Sequence, residues 1–221
     1  MKLSILLFDG FTALDVVGGY EVLSRLPGME TEFVSAEPGI IAADTRRLGM
    51  VTYCDYSSAA STDILYVPGG PGVSAALSDP ALLNYIQSAS RTAAWTIGIC
   101  NGVALLGAAD LLGGRTVTTN WSWRERVAQY GATVLPERYH RDGNLVTGAG
   151  VSASIDAALF LVGEIAGEMM AKTLQLGIEY YPAPPYGGFS VEDAPEPLKA
   201  TIRAYEASGA AEALLAQPPP F

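Results

Sequence analysis

Residues 95–110, Trp-Thr-Ile-Gly-Ile-Cys-Asn-Gly-Val-Ala-Leu-Leu-Gly-Ala-Ala-Asp, place Cys100 where an apolar run meets a run of small residues. The apolar stretch suits a strand covered on both faces, and Gly102, Ala104, Gly107 and Ala108 suit a close-packed helix behind it. A sharp strand-to-helix bend would present the thiol beside the unpaired N–H groups and partial positive charge of a helix start, which favours thiolate. The chemistry this allows is nucleophilic attack by sulfur. The bland alternative is an inert core cysteine, since free Cys is among the most buried residue types.

Asp15 stands among apolar neighbours in Ala13-Leu14-Asp15-Val16-Val17-Gly18, near the start of a helical pattern. Its ordinary role would be to cap that helix. Beside a thiolate, however, charge repulsion and burial would both favour the protonated carboxyl. Cys100 and Asp15 are then expected to titrate as a coupled pair, the acid donating a hydrogen bond to sulfur and later a proton to substrate. Pro68-Gly69-Gly70-Pro71-Gly72 exposes backbone at a turn, so the N–H groups of Gly70 and Asn101 are expected to steady negative charge or orient water. Taken alone, that segment is a tight turn.

The elements that must position these residues alternate in the way that builds a parallel sheet with helices on both faces. Strands are expected at Leu3–Phe8, Glu30–Ser35, Ile64–Val67 and just before Cys100, with helices at Leu14–Arg25, around Asp79–Ser90 and after Cys100. Residues 40–54 read as a small hairpin excursion. Beyond Gly113-Gly114 the pattern gives a strand at 115–118, a helix across Trp121–Tyr130, a strand at Thr133–Leu135 and a hairpin turn at Arg141-Asp142-Gly143-Asn144, where Asp-Gly supplies positive φ. A long helix follows at Ser152–Gly167. The Pro-rich segment Tyr181–Pro197 reads as an ordered loop, and a last helix near Leu198–Leu215 stops before Pro218-Pro219-Pro220. In such a sheet the functional crevice lies beyond the carboxyl ends of the strands, where the turns carrying Asp15, Gly70 and Cys100 converge.

With 221 residues, 49% of them hydrophobic, the chain is read as a single domain over residues 1–221. A formal charge of −10 opposes phosphate-backbone binding, so nucleic acid is not an expected partner. Cys54 and Cys100, the two cysteines, form neither a CxxC pair nor a disulfide framework, which fits a reducing compartment. The apolar start Leu3–Phe8 breaks at Asp9-Gly10 with no small-residue cleavage site, so it reads as a strand rather than a signal peptide. No run approaches the length of a membrane span. A cytoplasmic protein is expected. The lack of close-spaced His, Cys and carboxylate clusters argues against a metal site.

Read together, Val67-Pro68-Gly69-Gly70, Cys100-Asn101-Gly102, Leu111-Leu112-Gly113-Gly114-Arg115, Thr118-Thr119-Asn120-Trp121, Arg141-Asp142-Gly143-Asn144, Thr147-Gly148-Ala149-Gly150 and Ile155-Asp156 occur in an order that resembles the PfpI/ThiJ-type branch of the class I glutamine-amidotransferase-like superfamily. Within it the chain is most similar to the isocyanide hydratases, through an aspartate at position 15 where many relatives carry glutamate, and through the segment 179–186. The resemblance implies a flavodoxin-like three-layer α/β/α sandwich with a mostly parallel sheet, a nucleophile elbow at Cys100 and a homodimer. It also implies hydration of an organic isocyanide to an N-substituted formamide through a cysteine thioimidate, with a small-molecule substrate and no cofactor. Two positions depart from the pattern. Asn101 stands where peptidase-like relatives have histidine and hydratases have threonine, and Asn120, a candidate substrate-binding residue, replaces another histidine. The one histidine, His140, falls at a strand end, so a Cys-His-Asp triad is not expected.

Two other functions fit the same residues. A glyoxalase-like enzyme would use the thiolate on an α-oxoaldehyde, although it benefits from a base able to move a proton between carbons. A ligand- or oxidation-sensing domain would use the cysteine without turnover. Trp121 and Trp123 are expected to pack at the sheet end or a dimer contact, Cys54 to be incidental, and Asp156 to bond a neighbouring loop.

Overall fold

The computed structural model of the protein describes residues 1–59, 61–186 and 190–221. A seven-stranded sheet forms its centre. The strands are β1 (Lys2–Leu6), β2 (Glu30–Ser35), β5 (Cys54–Asp55), β6 (Ile64–Val67), β7 (Trp95–Ile99), β10 (Tyr139–Asp142) and β11 (Leu145–Gly148), in the order β10-β11-β7-β6-β1-β2-β5. Every pairing is parallel except β10 with β11, the hairpin that Asp142-Gly143 turns. The expected excursion at 40–54 is a separate hairpin of β3 (Gly39–Ala42) and β4 (Gly49–Thr52), and its last residues return to the sheet edge as β5. Strands β8 (Thr116–Val117) and β9 (Thr133–Val134) form a third small sheet.

Helices cover both faces of the large sheet, giving the three-layer sandwich. They are α1 (Ala13–Leu23), α2 (Val73–Ala76), α3 (Pro80–Thr92), α4 (Val103–Ala108), α5 (Arg124–Ala128) and α6 (Ala153–Ala166), followed by α7 (Glu168–Gly177), α8 (Glu196–Ala207) and α9 (Ala210–Leu215). Strands β1 and β6 are almost wholly buried because helices lie on each side of them, with Ser4 of β1 bonded to Glu32. Helix α3 starts where Asp79 accepts from the N–H groups of Ala81 and Leu82, with Pro80 pre-set for the first turn.

Sequence patterning misses or merges three elements. Helix α7 follows α6 after the single residue Gly167, at φ +86°, where a stop was expected. The last helix is two, broken by Gly209 at φ +66°. The helix expected over 121–130 opens with a 3-10 turn at Trp121–Trp123 and is regular only from Arg124. Part of the expected loop Tyr181–Pro197 lies outside the described residues, and its end belongs to α8. Among the described residues, no helix is long and apolar enough to cross a membrane.

Helix α1, which carries Asp15, sits unusually close to its neighbours. A Cβ on Gly18 would lie 2.2 Å from Ser154 Oγ of α6, and one on Gly19 would lie 2.3 Å from the ring of Tyr66 in β6. Ser154 Oγ donates to the Leu14 carbonyl at 3.0 Å and the Tyr66 hydroxyl donates to the Asp15 carbonyl, so both neighbours also hold the first turn of the helix. Gly19→Ala is expected to lower the unfolding free energy by about 1–3 kcal/mol, the usual cost of overpacking, read from the midpoint of denaturant unfolding.

Candidate active site

The strand order reverses between β2 and β6 on either side of β1, which opens a crevice at the carboxyl ends of these strands. Three turns meet there, carrying Asp15 after β1, Gly69-Gly70 after β6 and Cys100 after β7. A Cβ on Gly69 would lie 2.3 Å from Asn101 Oδ1 and 2.9 Å from both Asp15 Oδ2 and Cys100 Cβ. One missing side chain therefore lets the acid and the cysteine flank a single point.

Cys100 adopts φ +57°, the left-handed region that a non-glycine residue avoids. Its neighbours hold it there. Thr119 Oγ1 donates to the Cys100 carbonyl at 2.7 Å, and Gly102 lets the turn approach the Pro68 carbonyl, which a Cβ would meet at 2.2 Å. Three consecutive residues strap the elbow down: Thr118 N–H donates to Thr147 Oγ1 at 2.9 Å, Thr119 holds the elbow carbonyl, and Asn120 Nδ2 donates to Cys100 Sγ at 3.4 Å. The amide of Asn120 is oriented because its Oδ1 accepts from Ser122 N–H at 3.0 Å, with Ser122 Oγ 2.8 Å from the same oxygen and also within reach of Glu206.

Asp15 is fully buried. Its side chain does not cap its own helix. Oδ2 accepts from Gly69 N–H at 2.7 Å, and Oδ1 has no hydrogen-bond partner. Burial, with a smaller contribution from the charge of Asp44, raises its pKa to about 7 against the Gly69 hydrogen bond.

The Cys100 thiol is also pushed well up, first by burial and then by the charge of Asp15, while the Asn101 backbone N–H and Asn120 act the other way. Burial therefore outweighs the helix-start effect expected to favour thiolate. The expected hydrogen bond from Asp15 to sulfur is absent among the described residues: Oδ2 accepts from Gly69 N–H and Oδ1 has no partner. The charge of Asp15 opposes ionisation of the thiol through space.

Gly70 also differs from expectation. Its N–H donates to Asn101 Oδ1 at 2.8 Å and its carbonyl accepts from Asn101 Nδ2 at 3.1 Å, a two-way clamp between the turns after β6 and β7. The Gly70 N–H is thus spent inside the protein. The donors directed at the sulfur are the Asn101 backbone N–H and Asn120 Nδ2.

Cys100 opens onto a cavity of about 470 Å³. Asn101, Asn120, Trp123, Arg126 and Val151 line it on one side, and Ile202, Tyr205, Glu206 and Glu212 of α8 and α9 on the other. Arg126 stacks its guanidinium over Trp123 at 4.4 Å, and Arg203 of α8 lies over Trp121 at 5.3 Å. Trp123 therefore belongs to the wall of the site, whereas Trp121 lines a neighbouring groove against α8. The C-terminal wall was missed by sequence reasoning. The signal for it was the apolar spacing of Leu198, Ile202 and Tyr205 along one face of a helix.

His140 lies on β10, pairs with Glu137 at 2.8 Å, and does not line the cavity. Asp156 accepts from Arg138 and from Tyr180, the loop contact expected of it. Cys54 lies on edge strand β5, with its sulfur 3.5 Å from Glu32 Oε2.

Comparison with known proteins gives a consistent outcome. The profile of the DJ-1/PfpI family matches residues 1–164. The isonitrile hydratase of Pseudomonas putida is 35% identical over 195 residues, covering 88% of this chain and 85% of that one. The HTH-type transcriptional regulator CdhR of Pseudomonas aeruginosa is 29% identical over 177 residues, 75% of this chain but 51% of the regulator. Among solved structures, a THiJ/PfpI family protein from Pseudomonas syringae superposes with a TM-score of 0.88 at 31% identity, covering 97% of this chain and 90% of that one. Drosophila melanogaster DJ-1beta, at 19% identity and a TM-score of 0.73 over 82% of this chain and 98% of its own, shares the fold.

Because the folded Asp15 carboxyl keeps its proton to about pH 7 while an unfolded one loses it near 3.8, the folded state binds more protons between those values and loses stability as pH rises through them. Asp15→Asn keeps an acceptor for Gly69 and removes the charge. The variant is expected to lack that decline, which amounts to on the order of 4 kcal/mol in the wild type, when unfolding free energy is measured from pH 4 to 8. Its Cys100 should also react faster with iodoacetamide at neutral pH, since a charge that opposes thiolate is gone.

Proposed function

The chain belongs to the DJ-1/PfpI family, and from that premise we propose that it hydrates organic isocyanides to N-substituted formamides, with Cys100 as nucleophile and Asp15 as proton carrier. The observation that carries this reading is a buried acid and a strained cysteine flanking one glycine, the cysteine opening onto a cavity whose described lining holds no histidine. An amide-cleaving enzyme needs a group to protonate an amine leaving group, the role histidine fills in cysteine triads. An isocyanide has no leaving group. Its terminal carbon must instead gain both a sulfur and a proton, which one thiol and one carboxyl supply.

In the first step the Cys100 proton passes to the Asp15 carboxylate as Sγ attacks the isocyanide carbon, and Asp15 then delivers that proton to the same carbon. The S–H bond is exchanged for S–C and C–H bonds, leaving a thioimidate. Water next adds to the thioimidate carbon, with Asp15 accepting one of its protons and passing it to the nitrogen, so that the adduct carries N–H and O–H and Asp15 is again a carboxylate. Collapse of this adduct breaks the C–S bond, forms the formamide and returns the proton to sulfur. The Asn101 N–H and Asn120 Nδ2 steady the charge on sulfur in both directions. Trp123, Val151, Ile202 and Tyr205 offer apolar surface to the substituent.

The relative of 35% identity named as an isonitrile hydratase supports the same chemistry. A raised carboxyl fits it as well, since a proton carrier works best when its pKa lies near the working pH.

Incubation of the purified protein with aryl and alkyl isocyanides, with products identified by mass, is expected to yield formamide carrying one oxygen from labelled water. Cys100→Ala and Asp15→Asn should each lower turnover by 100-fold or more, the scale of losing a nucleophile or a general acid–base group, roughly 10²–10⁴. Turnover in the wild type should fall as pH drops below about 7, where Asp15 no longer accepts the thiol proton. Full activity of Cys100→Ala, or lactate from methylglyoxal with no formamide from any isocyanide, would overturn the proposal.

A further inference from the structure

Helices α8 and α9 lie beyond residues 1–164, the part of the chain that matches the family profile, yet they form one wall of the cysteine cavity. They are tied to the core at several points. Arg203 stacks on Trp121, Leu215 packs where a Cβ on Gly10 would stand, and Arg46 Nε donates to the Gln217 carbonyl at 3.0 Å. One of these ties leads to the reacting sulfur. Glu206 Oε1 lies 2.9 Å from Ser122 Oγ, Ser122 Oγ lies 2.8 Å from Asn120 Oδ1, and Asn120 Nδ2 lies 3.4 Å from Cys100 Sγ.

We infer that Glu206 is a positioning residue, one that sets the reactivity of Cys100 through Ser122 and Asn120 and so couples the docking of the C-terminal helices to the chemistry. The inference rests on the reading of Cys100 as the nucleophile. Ser122 Oγ has one proton and two acceptors within reach. With Glu206 ionised, the proton goes to the carboxylate, the stronger acceptor, and Asn120 Oδ1 keeps only the Ser122 N–H. With Glu206 protonated, its O–H donates to Ser122 Oγ, the hydroxyl turns to Asn120 Oδ1, and two donors then polarise the amide whose Nδ2–H points at sulfur.

The charge of Glu206 acts in the same sense. Its negative charge opposes thiolate at Cys100, and neutralising it lifts that opposition. The groups around the sulfur are Asp15 from α1, Asp44 from the turn after β3, Arg126 from α5, Tyr205 and Glu206 from α8, and Glu212 from α9. Among the described residues, Glu206 alone of these lies on a chain of hydrogen bonds that ends at Asn120. It is also set by the fold rather than by the core of the site, since α8 must sit on Trp121 for the contact to exist.

The test is the pH dependence of iodoacetamide alkylation at Cys100, resolved from Cys54 by peptide mass, in the full chain. Glu206→Gln replaces the carboxylate by an amide that donates to Ser122 Oγ, fixing the second arrangement without charge. Its alkylation midpoint is expected to fall by about half a pH unit, or about threefold more thiolate at a pH below the midpoint. In a Ser122→Ala background the same substitution should shift the midpoint much less, and Ser122→Thr, which keeps a hydroxyl, should restore the shift. Superimposable profiles for wild type and Glu206→Gln would overturn the inference. So would an equal shift in the Ser122→Ala background, which would mean that the charge acts through space alone. Alkylation needs no isocyanide, so failure of the wild type to form formamide counts against the hydratase reading and not against this coupling.

Discussion

A carboxyl group taken fully out of water and given a single N–H donor is an expensive thing for a fold to hold, and the architecture around Asp15 is organised by it. Helix α1 approaches β6 and α6 closely enough to bury the group only because Gly18 and Gly19 carry no side chains. The turn after β6 reaches the carboxyl only because position 69 is glycine, and the turn after β7 is pinned to it by the Asn101 clamp. Remove any one of these close approaches and water or a different rotamer would relieve the acid, leaving an ordinary carboxylate. The raised pKa is thus a property of three turns packed together rather than of one residue.

The elbow adds a second uncompensated element beside the first. A non-glycine residue at positive φ costs roughly 1–3 kcal/mol, and the strap of Thr118, Thr119 and Asn120 is what keeps it there. Desolvation and the charge of Asp15 make the thiol hard to ionise, so in the proposed reaction its proton leaves for a specific acceptor. Asp15 is the near one. The proposed addition of sulfur and a proton to one atom is suited to a thiol and an acid held in this way.

Much of this was legible in the order of the residues. The alternation of apolar strands with amphipathic helices gives the parallel sheet, and the bend at Cys100 with Gly102 behind it gives the elbow. The convergence of Asp15, Gly69-Gly70 and Cys100 follows from where open sheets place their crevices. What was not legible depends on contacts between segments far apart in the chain. No local pattern says that the Asn101 side chain consumes the Gly70 N–H, or that the amide of Asn120 turns to sulfur because Ser122 holds its oxygen. The C-terminal wall was obscured for a related reason. At Gly167 the expected helix end hid a further helix, and at Gly209 the expected continuous helix hid a break; only the packed structure shows both.

The contact made by Arg46 has a consequence that runs along the whole polypeptide. Its guanidinium is nearly buried, pairs with Asp9 just after the first strand, and holds the carbonyl of Gln217 near the last residue. A single cation thereby fastens the two ends of the chain to one knot, six residues ahead of Asp15. Any movement that frees the tail would slacken the loop from which the helix of Asp15 departs, so the last residues and the buried acid share one mechanical anchor.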